Sequence, residues 1–525
     1  MSAIILSDLS WSAPDGRALF SSLNLTFGPE RTGIVGRNGV GKSTLLRLIS
    51  GDLTAAAGYV SCSGTLGVLR QTVQVDPNET VADLFGVGAA RAILRRAEAG
   101  EATLDDLADA DWTLETRMIE ALAYLGLDTD ADTRLAALSG GQRTRAGLAA
   151  LVFQAPDFLL LDEPTNTLDR DGRQAVFDLL TSWKKGAVVV SHDRELLEIM
   201  DSIVELTALG ATRYGGNWSQ YRARKAQDLA AAQADLADAE KRAADVVRNA
   251  QTTAERKARK DGAGQRKAAR GDAPKILLGG LKNRSENTGG DAARLAERQR
   301  TEALEAAAEA RRRIEILQPL SVTLPPTRLP PGRSVVKLDS VIVGYAPNRP
   351  IIRDLSFAVT GPERVAITGA NGTGKTTLLS VISGRLIPWS GAVRVTPDRA
   401  LLDQSVSLLD PTVSIRENFH RLHPDTDENA CRAALARFMF RADAALQNTG
   451  TLSGGQLLRA GLACVTGGTS APSLLVLDEP TNHLDIDSIA AVEAGLRAYD
   501  GALIVVSHDE TFLEAIGLTR RLILT

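Results

Sequence analysis

The chain has 525 residues, 44% hydrophobic and 24% charged, with a formal net charge of -4; this is the composition of a multidomain globular protein, not of a disordered or fibrous one. Cys62, Cys431 and Cys464 stand far apart without metal-ligand spacing, which argues against a disulfide framework, a zinc site or a cluster and fits a reducing cytoplasm. No run approaches the ~20 apolar residues of a membrane span, and the opening MSAIILSDLSW lacks the basic region and apolar stretch of a signal peptide.

In chain order, a predicted strand TGIV leads into GRNGVGKS at 36–43 and then into a predicted helix, TLLRLIS. G-x-x-x-x-G-K-[ST] between a strand and a helix is a phosphate-binding loop. In the run Gly36, Arg37, Asn38, Gly39, Val40, Gly41, glycines let backbone N–H groups converge on phosphate oxygens. Lys42 supplies a charge to the β- and γ-phosphates, Ser43 offers a hydroxyl to Mg2+, and Thr44 continues the loop into its helix. Gln71 lies 35 residues beyond Gly36. Residues 89–127, rich in Ala, Leu and Glu with few breakers, are predicted to be helical. Leu138, Ser139, Gly140, Gly141 and Gln142 spell LSGGQ. FLLLDEPTNTLD at 158–169 is an apolar strand ending in two carboxylates. Asp162 suits the Mg2+ shell, and Glu163 suits positioning or deprotonating an attacking water. A third apolar strand ends at His192 in VVVSHD.

YGGNWSQYRARKAQ at 214–227 reads as a last turn running into a helix. Residues 226–260 contain no Pro or Gly and much Ala, predicting a helix ~50 Å long. Residues 261–290, with seven glycines and one proline, are expected to end it. Residues 291–317 are predicted to form a return helix, and LPPTRLPPGR a stiff exit. Residues 256–284 hold ten Lys/Arg against two acids, a net +8 that leaves -12 on the rest of the chain. A charge run is usually a solvated face. At the tip of a hairpin, however, Arg256, Lys257, Arg259, Lys260, Arg266, Lys267, Arg270 and Lys275 suit phosphate contacts with RNA. No aromatic interleaves with them, so base stacking is not expected.

The first part then recurs. GANGTGKT at 369–376 supplies Gly369, Ala370, Asn371, Gly372, Thr373, Gly374, Lys375 and Thr376, followed by Thr377. Gln404 again lies 35 residues past the first glycine. Leu452, Ser453, Gly454, Gly455 and Gln456 repeat LSGGQ, Asp478 and Glu479 repeat the carboxylate pair, and His508 lies 30 residues after Asp478, as His192 does after Asp162. One unit has been duplicated. The first copy carries 19 additional residues between its glutamine and its LSGGQ.

With all these motifs in both halves, the chain resembles the ATP-binding cassette superfamily. The charged helical connector after YGGNWSQY makes it similar to the ABC-F branch in particular. The resemblance implies an α/β fold: two P-loop NTPase cassettes, residues 1–221 and 334–525, joined by a long α-helical hairpin linker at 222–333. It implies two composite ATP sites, one joining Lys42 to Ser453 and the other Lys375 to Ser139. His192 and His508 take the γ-phosphate switch position, and Gln71 and Gln404 sense Mg2+. Trp11 and Tyr345 take the adenine-stacking position, with a core or surface aromatic as the alternative reading of Trp11. One departure is Thr167, where the second copy has His483; it is expected to make the sites unequal in rate. The implied activity is ATP hydrolysis with ATP and Mg2+, on the ribosome in the cytoplasm. The implied outcome is translation regulation, rescue or antibiotic protection. The linker is expected to contact rRNA and the P-site tRNA, and the two cassettes to dimerise within a monomer. Two rivals are the twin-cassette ATPase subunit of a membrane importer and a DNA-repair type ABC ATPase. The long charged hairpin speaks against the first. The absence of very long coiled coils or zinc cysteine pairs, and of a coiled-coil extension after His508, speaks against the second.

Overall fold

The computed structural model describes residues 2–69, 76, 78–268, 297–298, 301–302, 304–306, 308, 324–346, 349–482 and 484–524, except 167 and 208–209. Gln71, Thr167, His483, Arg270 and Lys275 therefore lie outside the described residues, as do the side chains of Lys257, Lys260, Arg266 and Lys267. Two units are formed, one from Met1–Tyr221 with Leu320–Thr525 and the other from Arg222–Pro319.

In the first unit each half is built on a predominantly parallel sheet. Its inner strands are short, rich in Val, Ile and Leu, and buried on both faces, as the inner strands of a parallel sheet must be. The first sheet runs in the order Leu66–Leu69, Phe158–Asp162, Gly186–Val190, Arg31–Val35, Ser202–Thr207, Gly210–Gly215, parallel except for the last hairpin. The second runs Arg399–Leu402, Leu474–Asp478, Ala502–Val506, Arg364–Thr368, Arg520–Ile523, all parallel. A three-stranded antiparallel sheet accompanies each, centred on Ala3–Ser12 and Ser334–Val343. The phosphate-loop strand, the DEP strand and the histidine strand are thus neighbours in each half. Their carboxyl ends, where ligands gather in open α/β sheets, carry the predicted lysines, carboxylate pairs and histidines.

The helical stretch expected at 89–127 is three helices: Gly88–Glu98, Leu104–Asp109 and Leu114–Tyr124. Gly100 ends the first at a positive φ, and Thr103 starts the second with a capping box closed by Asp106.

The YGGNWSQY stretch folds as expected and starts the long helix earlier than composition indicated, at Trp218. Asn217 Oδ1 accepts the Gln220 N–H at 3.1 Å, a capping bond, while Asn217 Nδ2 donates to Glu198. Tyr214 meets Tyr221 edge-on and Trp218 packs on it at a tilt, with ring centroids 5.1–5.2 Å apart, and the three close the first core.

The second unit corrects one expectation. The helix does not stop at residue 260 but continues through Gly262 and Gly264 to Ala268, 51 residues in all and ~76 Å long. A glycine costs only about 1 kcal/mol in a helix interior. Propagation on an existing helix needs no new nucleus, so two isolated glycines do not break it. Arg256 and Arg259 are exposed on it. The described residues among 297–308 are helical, as the return helix requires. Among the described residues, no helix is long and apolar enough to cross a membrane.

Candidate ATP sites

Each phosphate loop closes on itself through its lysine. Lys42 Nζ donates to the Gly36 and Arg37 carbonyls at 2.7 and 3.2 Å, and Lys375 Nζ to those of Gly369 and Ala370 at 2.7 and 3.1 Å. Gly36 and Gly369 both have φ 151°, and a Cβ at either would lie 2.3–2.4 Å from the carbonyl oxygen of Leu206 or Leu524. Only glycine fits that close approach. The helices Lys42–Ile49 and Lys375–Ser383 begin at these loops with no acidic residue in their first turns, so their N-terminal N–H groups are free to favour an anion.

Behind each lysine stand the two carboxylates. Asp162 is hydrogen-bonded to Ser43, and Asp478 to Thr376. Their Oδ1 atoms are buried without a hydrogen-bond partner. A serine or threonine hydroxyl beside an unpartnered carboxylate oxygen is an all-oxygen donor pair suited to Mg2+, so the residues fit that ion. Burial raises the affinity of both aspartates for a proton, a cost that a bound dication would offset.

Glu163 and Glu479 follow at φ 47° and 46°, left-handed conformations that cost a non-glycine residue about 1–3 kcal/mol. The turn is held by their own N–H groups, which donate to the Val190 and Val506 carbonyls at 2.9 Å. Strained backbone at matching positions in both halves aims the carboxylates into the site. Glu163 Oε2 accepts the His192 N–H at 3.3 Å, while its Oε1 lies 3.2 Å from His192 Nε2 without a hydrogen bond. The Glu479–His508 pair has the same form at 3.4 Å. Neither is an ion pair. Burial pushes His192 down to about 3 and His508 down to about 4, so both imidazoles are neutral. Burial pushes Glu163 above the usual carboxylate range, against the opposing pull of Lys42, and Glu479 up to about 7.

This has a stability consequence. Glu479 binds a proton more tightly folded than unfolded, so its native-state cost is absent below about pH 4.5 and complete above about pH 7. At 1.36 kcal/mol per unit it reaches roughly 3 kcal/mol. Glu479→Gln is expected to raise the melting temperature of the nucleotide-free protein at pH 8 by several degrees. The gain should shrink steadily between pH 7 and 4.5, as followed by thermal scans; a gain constant with pH would contradict the assignment.

A cavity of about 680 Å³ opens at the second phosphate loop. Tyr345, Lys375, Thr376, Gln404, Asp478, Glu479 and His508 line it, facing Thr165, Asn166, Leu168, Arg173, His192 and Asp193 of the first half. Tyr345 is 65% exposed at its rim. Trp11 is placed differently: it is half-buried in its strand, opposite Phe20, and packs on the core beneath the first phosphate loop. Ser139 and Ser453 cap the helices Gly140–Gln154 and Gly454–Thr466 through capping boxes with Gln142 and Gln456. Residues 138–142 are not among those lining the cavity at Lys375.

What reaches the first phosphate loop from the other half is the stretch after the second DEP. Asp485 Oδ2 accepts the Asn38 N–H at 2.8 Å, and Asp487 pairs with Arg37 at 2.9 Å. Burial would raise Asp485, but hydrogen bonds from Ser488 and from the Asn38 N–H outweigh it and hold the carboxylate ionised. Two further contacts between the halves were not foreseen. Arg194 pairs with Glu493 at 2.7 Å, both side chains about nine-tenths buried, and Arg173 donates to the His508 carbonyl. Their partners lie 299 and 335 residues away, and no local spacing signals them.

The family model for the ABC transporter domain matches twice, at residues 20–166 and 352–482. The chain is 34% identical to the tylosin resistance ATP-binding protein TlrC of Streptomyces fradiae, over 94% of this chain and 92% of that one. It is 32% identical to the energy-dependent translational throttle protein EttA of Mycobacterium tuberculosis, over 95% and 87%. Among solved structures, the archaeal ribosome recycling factor aABCE1, in complex with ribosomal stalk protein aP1, shares the fold. Its TM-score is 0.60 at 18% identity, over 98% of this chain and 87% of that one. With two cassettes, each presenting phosphate loop, carboxylate pair and buried histidine at one sheet end, this chain is an ATPase and belongs to the ABC-F family of ATP-binding cassette proteins.

Proposed function

We propose that the chain hydrolyses ATP with Mg2+ at two sites and uses the cycle to engage and leave the ribosome. The observation that carries the hydrolytic part is the matched set of lysine, paired carboxylates and neutral histidine in each half, with the other half's Asp485 on the first phosphate loop. Lys42 and Lys375 hold the terminal phosphates, assisted by the loop and helix N–H groups at 36–44 and 369–377. Ser43 with Asp162, and Thr376 with Asp478, hold Mg2+, which when bound neutralises charge on the phosphates; Gln71 and Gln404 complete its surroundings. Glu163 and Glu479 orient the water and accept its proton, for which their raised proton affinity suits them near neutral pH. His192 and His508, kept neutral, donate a hydrogen bond to the γ-phosphate without adding charge. Ser139 and Ser453 reach the opposite nucleotide once the halves close, and Tyr345 stacks on adenine.

The ribosomal part is supported by the relatives, one named for throttling translation and another for tylosin resistance, and by the +8 tract at 256–284. On this reading residues 1–221 and 334–525 are the cassettes, and residues 222–333 a linker that contacts rRNA and the P-site tRNA. The chain acts as a cytoplasmic monomer. Co-sedimentation with ribosomes over a salt series tests it. Binding is expected with ATP and to weaken steeply with salt. Replacing Arg266, Lys267 and Arg270 with glutamine is expected to lower the slope of log affinity against log salt by about 2, since each phosphate that a cation neutralises adds ~0.7–0.9 to that slope. Binding indifferent to ATP, or an unchanged salt slope, would contradict it.

A further inference from the structure

We propose that Arg173 is a one-sided positioning residue that ties the switch loop of the first cassette to the hydrolytic site of the second. The proposal rests on the site assignment above and goes beyond it by making the two sites unequal.

Arg173 lies on the helix Arg170–Ser182, is only 8% exposed and lines the cavity at Lys375. One guanidinium nitrogen donates to the backbone carbonyl of His508 in the second cassette. The other donates to Asp193 at 2.8 Å and Glu195 at 3.4 Å in the first. Asp193 directly follows the switch histidine His192 and caps the next short helix. A single buried cation therefore bridges the peptide after one switch histidine and the residue after the other. Arginine suits this task, because its planar fork holds several acceptors in fixed directions and stays charged.

Holding the His508 carbonyl restricts rotation of the 508–509 peptide and so fixes where the imidazole stands relative to Glu479.

The pseudo-symmetric position has no such group. Asp169 and Asp485 cap corresponding helices. Four residues on, the first helix carries Arg173 and the second Ile489, which is 2% exposed in an apolar cluster. Isoleucine has no donor, so the second cassette cannot return the contact to His192. At this pair of positions the contact is therefore made from one side of the junction only.

The test is steady-state ATP turnover by the full chain, with one site disabled at a time by Glu163→Gln or Glu479→Gln. Arg173→Ile is expected to lower kcat about tenfold in the Glu163→Gln background, where only the second site turns over, with KM changed less than about twofold, as for misplacement of a reacting group. The ratio of turnover in that background to turnover in the Glu479→Gln background should fall by about the same factor. Arg173→Lys, which keeps the charge and a donor, should recover part of the loss and serves where Arg173→Ile does not fold. An equal loss in both backgrounds, a change in KM alone, or no loss would overturn the proposal while leaving the site assignment intact. Turnover surviving in the Glu163→Gln/Glu479→Gln double variant would overturn both.

Discussion

Replacing Glu163 and Glu479 together with glutamine is expected to lower ATP turnover by about 10²- to 10⁴-fold, the usual contribution of a positioned general base. ATP binding should persist, because the lysines, hydroxyls and loop amides that hold phosphate are untouched. Glutamine keeps the shape of the side chain and loses the basic oxygen. At both positions the backbone is already strained at φ near 47° and pinned by a bond to the histidine strand, so the amide should occupy the carboxylate's place without local rearrangement. Burial also makes each carboxylate an expensive charge, and its removal should stabilise the variant. With hydrolysis blocked and closure allowed, the double variant should accumulate on ribosomes in ATP. Phosphate release and ribosome pelleting measure the two parts separately. Undiminished turnover would sink the catalytic assignment, and a variant that binds ATP but never pellets with ribosomes would sink the translational one.

The second large effect is on the junction between the cassettes. Arg194→Ala is expected to destabilise the protein by about 3–5 kcal/mol, the range for removing one partner of a buried ion pair. Glu493 would be left 11% exposed with no cation at 2.7 Å. Even with Arg194 present, burial outweighs attraction and raises the proton affinity of Glu493, so the pair is expensive to maintain. Arg194 Nε is buried without a partner as well. Pairing an apolar residue with an apolar residue should therefore restore what the single change loses. Arg194→Met with Glu493→Leu is expected to return to within about 1 kcal/mol of the wild type or exceed it. Denaturant unfolding of both variants decides this. An alanine variant as stable as the wild type would show that the pair contributes nothing.

Arg194 and Arg173 also show where sequence reading reaches its limit. The places of the phosphate loops, the carboxylate pairs and the two histidines were legible because each depends on local order: a strand, a tight turn and a helix within a few residues. The duplication made each reading test the other. The helix 218–268 was legible in kind and misjudged in extent. Glycine's local penalty is small against the cooperativity of a helix already formed, and composition registers only the penalty. Trp11 was ambiguous for a similar reason. Its distance from the loop matched Tyr345 to within one residue, but the strand Ala3–Ser12 includes it and its antiparallel register sets it opposite Phe20 over the core, whereas Tyr345 lies beyond the end of its strand Ser334–Val343.

By itself, then, the sequence determined the duplicated α/β cassettes, the polar residues gathered at the end of each sheet and the cationic tract between them, because all three follow from residues close together in the chain. Only the tertiary structure decided which groups of one cassette touch the other: Asp485 on the Asn38 N–H, Glu493 on Arg194, Arg173 on the His508 carbonyl. These partners are separated by roughly 300 to 450 positions. Contacts at such separations are set by how two folded surfaces meet, and the burial that makes them matter exists only once they have met.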